Sequence, residues 1–370
     1  MIRVFEPELS LQDKFSVLKT LRKNYISGTS PVVQEFEQKA AATFNREYAV
    51  AVSNGSVALD VAFQLFDFEE GDEVILPSFT IVSCLAAVVR AGAKPVFCDV
   101  DSKTWNVKLG NILPKVTPRT KAILVVHTYG LSAEIKKISE FCLDNNIYLI
   151  EDAAEAHGQE DQEIKCGSFG DVSTMSFYAN KHVTTGEGGM VLTNSEEYFE
   201  KMKSMRNLDF TNKDRFKHEN LYWNYRLGGL QAALGISQLT QIDKQIKNKI
   251  NQGKNYQNLL KEHNSLLTLP LEGIENTKNH YWVFGVLLKI EKIRDKVIED
   301  LFNRGIETRP FFWPLHLQDA LPKEFATNEK FLISENLGSN GLYLPMGKHV
   351  STKKQKYIVQ NLIEIIRKFN

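Results

Sequence analysis

The chain has 370 residues, 43% of them hydrophobic, and its 45 lysines and arginines balance its 45 acidic residues. This length and composition predict a sizeable core, either in two domains or in one large domain with an appendage. The balanced charge provides no field that would attract nucleic acid or an acidic membrane surface, so we expect a protein that acts on small molecules.

The N-terminal residues, the longest apolar run and the cysteines together predict a cytoplasmic protein. The first residues, MIRVFEPELS, carry charges where a signal peptide needs an apolar stretch, and the longest apolar run, near Leu85, is interrupted by Arg90. We therefore expect no membrane span. No CxxC pair or metal-ligand spacing occurs, so reduced structural thiols and no metal site are expected for the four cysteines, Cys84, Cys98, Cys142 and Cys166.

From Tyr48 to about Thr193, short β-rich runs alternate with helical patterns. YAVAVS precedes GSVALDVAFQLF, EVILP precedes IVSCLAAVVRAGA, and KAILVVH precedes AEIKKISEFCLDNN. This alternation predicts an α/β domain with a mostly parallel sheet that helices cover on both faces. Ligands of such sheets bind at the carboxyl ends of the strands.

The pattern changes after Gly229, where one long helical segment, LQAALGISQLTQIDKQIKNKINQGKNYQNLLKEH, follows. The remainder predicts a smaller α+β unit, with a strand in HYWVFGVLLK, a helix in DKVIEDLFNRG, a strand in IETRPFF and a closing helix. We place the boundary near Ile242. This gives a large domain over residues 1–241, including the N-terminal segment, and a small domain over residues 242–370.

Lys181 lies between two β-like runs, in the stretch SFYANKHVTTGEGG. A solvated loop charge is one interpretation of such a lysine. A phosphate-loop lysine is a second, but the glycines here follow the lysine and the GxxxxGK[ST] order is absent. The third is a lysine that binds pyridoxal phosphate as a Schiff base. The third interpretation requires further groups elsewhere in the chain.

Those further groups occur in the α/β region. Pyridoxal phosphate needs a carboxylate to keep its pyridine nitrogen protonated, and Asp152 ends the strand-like run IYLIED. It also needs an anion site, which the turn at Gly55 and Ser56 and the following helix start could provide, with the Ser176 hydroxyl beside it. Each group has an ordinary alternative, since Asp, Asn-Gly and Ser also cap helices and turns.

The order of these motifs along the chain resembles the DegT/DnrJ family of sugar aminotransferases, which are fold-type I pyridoxal phosphate enzymes. The resemblance runs from about residue 25 to the C-terminus. It is carried by SNGSVAL, GDEVILPSFT, VVHTYG, EDAAEAHG, SFYANKHVTTGEGGMVLTN, NYRLGGLQAALGISQL and GIETRPFFWPLH. It implies a large domain with a mostly parallel mixed sheet flanked by helices, plus a smaller C-terminal α+β domain.

The resemblance also implies roles for individual residues. Lys181 would bind the cofactor and move the proton between the substrate carbon and the cofactor, and Asp152 would pair with the pyridinium nitrogen. Glu155 would lie beside the ring hydroxyl. Asn224 of the NYR motif would reach the phosphate of the neighbouring subunit, which implies a homodimer with shared active sites. The full set implied for the cofactor is Gly55, Ser56, Asp152, Glu155, Ser176, Lys181 and Asn224.

Two positions depart from what is common in the family. Ile81 follows Thr80 where many members have an aromatic residue on the cofactor ring, so either Ile81 or the nearby Phe79 is expected to cover the ring. His182 follows the lysine, and in a related dehydratase branch a histidine replaces that lysine. Because Lys181 is retained here, the resemblance favours amino transfer over dehydration.

The segments SKTWNVK, KHVTTGEGG and NRGIETRPFFWPLH are most similar to the branch that aminates C4 of GDP-4-keto-6-deoxymannose to give GDP-perosamine. The resemblance implies L-glutamate as the amino donor and a product used in surface polysaccharide, such as lipopolysaccharide O-antigen. A dTDP- or UDP-linked 3- or 4-keto sugar is an alternative substrate, and a sugar dehydratase is an alternative enzyme. Candidates for contacting the nucleotide sugar are His316, Arg309 and His182, although a packed loop histidine and a surface arginine would also explain the first two.

Overall fold

The computed structural model describes residues 1–210, 215–275 and 277–369. The helices of these residues are α1 Leu11–Arg22, α2 Pro31–Thr43, α3 Gly55–Phe63, α4 Val82–Arg90, α5 Leu109–Ile112, α6 Ile135–Asp144, α7 Glu196–Arg206, α8 Gly229–Leu239, α9 Ile242–Leu260, α10 Arg294–Asn303, α11 Leu332–Asn340 and α12 Thr352–Ile366. None of the helices in these ranges combines the length and the apolar character needed to cross a membrane.

The strands alternate with these helices in the first half of the chain. They are β1 Tyr48–Val52, β2 Glu73–Pro77, β3 Lys94–Cys98, β4 Thr120–Val126, β5 Tyr148–Asp152, β6 Glu160–Asp161, β7 Ile164–Lys165, β8 Val172–Ser176, β9 Gly189–Thr193, β10 Leu267–Thr268, β11 Gly273–Ile274, β12 Thr277–Lys278, β13 Phe284–Leu288, β14 Arg309–Pro310 and β15 Gly341–Leu344.

A seven-stranded sheet with the order β1-β9-β8-β5-β4-β2-β3 forms the centre of the molecule. Strand β9 runs antiparallel to both of its neighbours, and the other pairs are parallel. The predicted α/β class with a mostly parallel mixed sheet is therefore confirmed. Because helices cover both faces, the strands are apolar along nearly their whole length, as in EVILP of β2.

Alternate residues of the strands pack on opposite helices. Leu76 of β2 packs with α3 and α4 on one face, and Ile75 packs with α6 on the other. Helices α2 and α8 cover the same face as α6 at the β1 and β9 end of the sheet. This arrangement leaves the carboxyl ends of β2, β4, β5 and β8 as the edge where side chains from different strands can meet.

The C-terminal elements form a second sheet with the order β10-β13-β15-β14. Its core, with α9, α10 and α12, is separate from the cores of the central sheet. Helix α9 begins at Ile242, the position of the predicted boundary, and Ile242 and Ile246 still pack in a core of the central sheet. Ile2 forms a bridge with Ile306 of the C-terminal part. The domain limits themselves stay a prediction.

One expected element differs in the structure. The helical segment after Gly229 is broken into α8 and α9 at Thr240 and Gln241. Gln241 adopts φ −113° and ψ 6°, and its side-chain amide donates to Asp13 and to the carbonyl of Ser237. The backbone N–H of Thr240 donates to the carbonyl of Ser237, and that of Gln241 donates to the carbonyl of Gln238. These bonds to the third preceding residue interrupt the α-helical pattern.

Candidate active site

Asp152 ends β5, and its carboxylate is enclosed by donors. Its Oδ1 accepts hydrogen bonds from the backbone N–H of Ala154 at 3.0 Å and from the hydroxyl of Thr174, on the neighbouring strand β8, at 3.2 Å. Its Oδ2 accepts from the thiol of Cys84 at 3.6 Å. Burial raises the pKa of Asp152, and the hydrogen bond from Ala154 and the nearby Lys181 oppose that rise.

Lys181 lies in the connection between β8 and β9, and its amine reaches the same edge of the sheet. Lys181 Nζ is 3.5 Å from Oε1 of Glu155 and 3.8 Å from the centre of the Trp282 ring. The lysine side chain is only 9% exposed. Burial lowers its pKa, while Glu155 and Asp152 act in the opposite direction. The lysine is therefore an enclosed amine next to two carboxylates and is not a solvated loop charge.

Glu155 is the second acid of this cluster. Its Oε2 accepts a hydrogen bond from the backbone N–H of Tyr129 at 3.0 Å, while its Oε1 faces Lys181. Burial raises the pKa of Glu155 to about 7, against the effect of Lys181. At neutral pH this side chain is poised between its two protonation states. It can hold or release a proton next to the lysine amine.

The segment predicted to bind a phosphate is the start of α3. Asn54 caps this helix with its side-chain oxygen, which accepts from the backbone N–H of Val57 at 2.9 Å. Gly55 approaches β8 so closely that a β-carbon added there would lie 2.8 Å from Cβ of Ser176. The hydroxyl of Ser56 is 2.7 Å from that of Ser83, at the start of α4. Hydroxyl and backbone N–H groups thus converge at the positive end of a helix.

The three predicted substrate residues, His316, Arg309 and His182, lie in different surroundings. His316 is enclosed, with Nδ1 2.6 Å from the hydroxyl of Ser78 and Nε2 3.4 Å from Glu335. Arg309 is exposed and forms an ion pair with Glu307 at 2.9 Å. His182 is buried and donates from Nε2 to the carbonyl of His280 at 3.1 Å. Their roles toward a substrate stay predictions.

Asn224, Ile81 and Phe79, the other residues with predicted cofactor roles, differ in their exposure. Asn224 is exposed, and its side-chain oxygen accepts from the backbone N–H of Arg226 at 3.3 Å. Ile81 is 40% exposed at the start of α4, while Phe79 is fully buried against Tyr129. Of the two, Ile81 is thus the exposed side chain, and which of them covers the cofactor ring stays a prediction.

A second polar cluster includes Glu151, the residue that precedes Asp152 on β5. His127, Glu151 and Cys166 are all buried, and their ligand-type atoms lie within 4.8 Å of one another. Nδ1 of His127 accepts from the N–H of Ala133, so its Nε2 carries the proton and donates to Glu151 at 2.9 Å. Glu151 also accepts from the N–H groups of the loop that precedes β8. The cluster ties the ends of β4 and β5 to that loop.

Comparison with known proteins gives the family. The pattern of the DegT/DnrJ/EryC1/StrS aminotransferase family matches residues 9–363. The chain belongs to this family. GDP-perosamine synthase of Escherichia coli O157:H7 is 35% identical over 363 residues, which cover 98% of each chain. A dTDP-4-dehydro-2,3,6-trideoxy-D-glucose 4-aminotransferase of Saccharopolyspora spinosa is 32% identical over 330 residues, 85% of each chain.

The solved structures agree with this assignment. PseC of Helicobacter pylori, an aminotransferase involved in the biosynthesis of pseudoaminic acid, matches with a TM-score of 0.93 over the whole of both chains, at 25% identity. The predicted family and fold-type I architecture are therefore confirmed. The family and the names of these relatives also confirm the predicted enzyme class, a pyridoxal-phosphate-dependent sugar aminotransferase.

The residues of this aminotransferase fit pyridoxal phosphate, the cofactor that the family implies. Gly55 lets the start of α3 approach Ser176, and an added β-carbon would lie 3.1 Å from the Ser176 hydroxyl oxygen. The N–H groups at this helix start and the Ser176 hydroxyl together form a cradle that suits a phosphate group. Asp152 offers a buried carboxylate for a protonated ring nitrogen, and Lys181 offers an enclosed amine. The carboxylate of Asp152 would complement the cationic ring nitrogen of the cofactor, and the positive end of α3 would complement its anionic phosphate.

One contact of Lys181, with Trp282, was not predicted from the sequence. Trp282 covers the amine, and its indole N–H donates to the carbonyl of Asn180 at 3.1 Å. The segment HYWVFGV predicts a strand, but Tyr281 has φ +49° and β13 begins only at Phe284. The left-handed Tyr281 turns the chain, which frees Trp282 from a strand position. The only sequence feature that could have indicated this contact is a tryptophan near the start of a predicted strand.

Replacement of Gly55 by alanine is expected to weaken pyridoxal phosphate binding about 10- to 100-fold, because the added methyl group overpacks the cradle against Ser176. The dissociation constant can be measured by absorbance titration of the cofactor-free protein. Gly110→Ala is the matched control, since a β-carbon there meets no atom within 4 Å. Equal affinities of the two variants would contradict the placement of the phosphate.

Proposed function

We propose that this aminotransferase moves the amino group of L-glutamate to C4 of GDP-4-keto-6-deoxymannose and so forms GDP-perosamine. The similarity to GDP-perosamine synthase over 98% of both chains supports this substrate. The observation that carries the proposed chemistry is the enclosed Lys181 amine, 3.5 Å from Glu155 and near Asp152. A polysaccharide precursor would be the product.

Lys181 serves two roles in this proposal. It would hold the cofactor, and its amine would carry a proton to and from the substrate carbon. Burial lowers the pKa of the amine, so a larger share of it is neutral and able to accept a proton. Glu155, at 3.5 Å, is close enough to take up or return that proton.

Bound pyridoxal phosphate supplies the electron sink that stabilises a carbanion at the substrate carbon. Asp152 makes this possible by holding a proton on the ring nitrogen. The carboxylate is itself held in place by Ala154 and Thr174, so it needs little reorganisation when charge develops. Gly55, Ser56 and Ser176 would hold the phosphate and so orient the cofactor toward Lys181.

A dTDP-linked keto sugar is the second candidate substrate, because the relative from Saccharopolyspora spinosa is named for one and is 32% identical. A UDP-linked sugar, amination at C3 and dehydration are further alternatives. Retention of the lysine supports amino transfer over dehydration. His316, Arg309 and His182 are the proposed substrate contacts, and of these three Arg309 is the exposed one.

A homodimer with shared sites is part of the proposal. Asn224 is proposed to reach the phosphate in the partner subunit. It follows a stretch in which Leu221 is 99% exposed and Trp223 is 67% exposed. Two large apolar side chains beside a predicted cross-subunit ligand support an interface at this place.

Substitution of Trp223 by aspartate is expected to weaken the dimer about 30-fold or more, since a charge would replace an aromatic side chain at the proposed interface. Light scattering after size-exclusion chromatography measures the mass as a function of concentration. Leu143→Asp is the control, because Leu143 is 80% exposed on α6, remote in sequence from the NYR segment. A variant as dimeric as the wild type would count against this interface.

The half-reaction with the amino donor tests the proposal most simply. The purified protein is loaded with pyridoxal phosphate, and its visible absorbance is followed after addition of L-glutamate without sugar. We expect the yellow band to disappear and one equivalent of 2-oxoglutarate to form. A band that does not respond would point to another donor or to dehydration, and no band at all would remove Lys181 as the cofactor ligand.

A further inference from the structure

Cys84 lies beneath the site, in α4, and contacts the acid that the cofactor ring needs. Its side chain is completely buried. Its Sγ is 3.6 Å from Oδ2 of Asp152 and 3.7 Å from the hydroxyl of Thr80. The sequence predicts no more than a structural thiol at this position, because the contact joins residues that are 68 positions apart.

The direction of these hydrogen bonds follows from the protonation of the thiol. Burial, and next the charge of Asp152, raise the pKa of Cys84 well above its ordinary value, so the thiol keeps its hydrogen. A thiol has one hydrogen to donate, and Cys84 donates it to Asp152. Thr80 then donates to the sulphur. Three residues thus form a chain from Thr80 through Cys84 to Asp152.

The two oxygens of Asp152 differ in their partners. Oδ1 accepts two hydrogen bonds, from Ala154 and Thr174. Among residues 1–210, 215–275 and 277–369, the donor to Oδ2 is the thiol of Cys84. A thiol is a weak donor, so Oδ2 retains capacity for a further hydrogen bond. A buried carboxylate with that capacity is also costly to keep ionised unless something stabilises its charge.

We propose that Cys84 is a positioning residue for the cofactor: its thiol aims Oδ2 of Asp152 at the pyridinium nitrogen and helps to keep that carboxylate ionised. This inference rests on the proposed use of pyridoxal phosphate at Asp152. A serine can replace the donor, whereas alanine and valine cannot. Alanine is smaller than cysteine and valine is larger, so the two bracket its volume and separate the donor from packing.

The test compares Cys84→Ala, Cys84→Val and Cys84→Ser with the wild type in two measurements. The first is the dissociation constant of pyridoxal phosphate, by absorbance titration. The second is the ¹⁵N chemical shift of the ring nitrogen in bound, ¹⁵N-labelled cofactor. We expect alanine and valine to weaken binding about threefold to tenfold and to move the shift toward the unprotonated form. Serine should stay within about twofold of the wild type.

Cys98→Ala is the matched control. Cys98 is equally buried, but it lies at the end of β3 and makes no hydrogen bond to Asp152. Its loss should lower the melting temperature as Cys84→Ala does and leave both cofactor measurements unchanged. If Cys84→Ala behaves like Cys98→Ala, or if serine fails like alanine, the role of Cys84 is overturned while the proposed function stands. A wild type that binds no cofactor would overturn both.

Discussion

Replacement of Lys181 by alanine is expected to lower the rate of amino transfer by about 10⁴-fold or more. The substitution removes the amine that binds the cofactor and moves the substrate proton. Glu155 lies 3.5 Å from the position of that amine in the wild type and does not replace it. The yellow absorbance of the protein should also be lost. The rate is measured by the 2-oxoglutarate released from L-glutamate.

The fold should survive this substitution, because Lys181 lies in a connection and forms no part of a strand or helix. Lys203→Ala is a matched control, since Lys203 is paired with Glu200 on the exposed side of α7. It should retain full activity and colour. A Lys181→Ala variant that transfers nitrogen at the normal rate would exclude Lys181 from the chemistry.

The second large effect is expected for Asp152→Asn, which keeps the size of the side chain and removes its charge. Without the carboxylate the ring nitrogen loses its proton, and the electron sink weakens. We expect the rate to fall about 100- to 1,000-fold, as for the loss of one preorganised electrostatic group. The ¹⁵N shift of the bound cofactor should report an unprotonated ring nitrogen.

Asp152→Asn is expected to lower the rate without lowering the stability of the cofactor-free protein at neutral pH. Burial raises the pKa of Asp152 in the folded protein, so the folded state binds this proton more readily than the unfolded state does. The stability of the cofactor-free wild type relative to Asp152→Asn should therefore increase as the pH falls through the raised pKa toward the ordinary value of 3.8. At neutral pH the cofactor-free variant should melt no lower than the wild type. An inactive variant that is also destabilised at neutral pH would indicate a folding defect in place of the proposed role.

Much of the fold could be predicted because the local signals agree with one another. The apolar runs from Tyr48 to Asp152 are short and alternate with helical patterns, and these runs, with the two that flank the Lys181 segment, form the central sheet. The break at Thr240 and Gln241 was missed because the segment is apolar with helical spacing on both sides. It depends on hydrogen bonds to Asp13, more than 200 residues away in the sequence.

Some residues of the site could likewise be predicted from the sequence, and others could not. Asp152 and Lys181 lie next to strand ends, where the topology alone brings them to one edge, so the sequence predicts them. Cys84 reaches Asp152 from α4, and Trp282 reaches Lys181 from the segment before β13. No spacing in the sequence signals these contacts. His316 contacts Ser78, which directly follows β2. No pattern in the sequence predicts that these two residues pair.

The most direct test of the central claim is a single reaction with ¹⁵N-labelled L-glutamate, pyridoxal phosphate and GDP-4-keto-6-deoxymannose. The sugar product is isolated and examined by mass spectrometry and NMR. We predict one ¹⁵N atom attached to C4 of the sugar, which identifies GDP-perosamine. A sugar product that lacks ¹⁵N would contradict amino transfer, and an unchanged sugar beside a complete half-reaction with L-glutamate would contradict the proposed substrate.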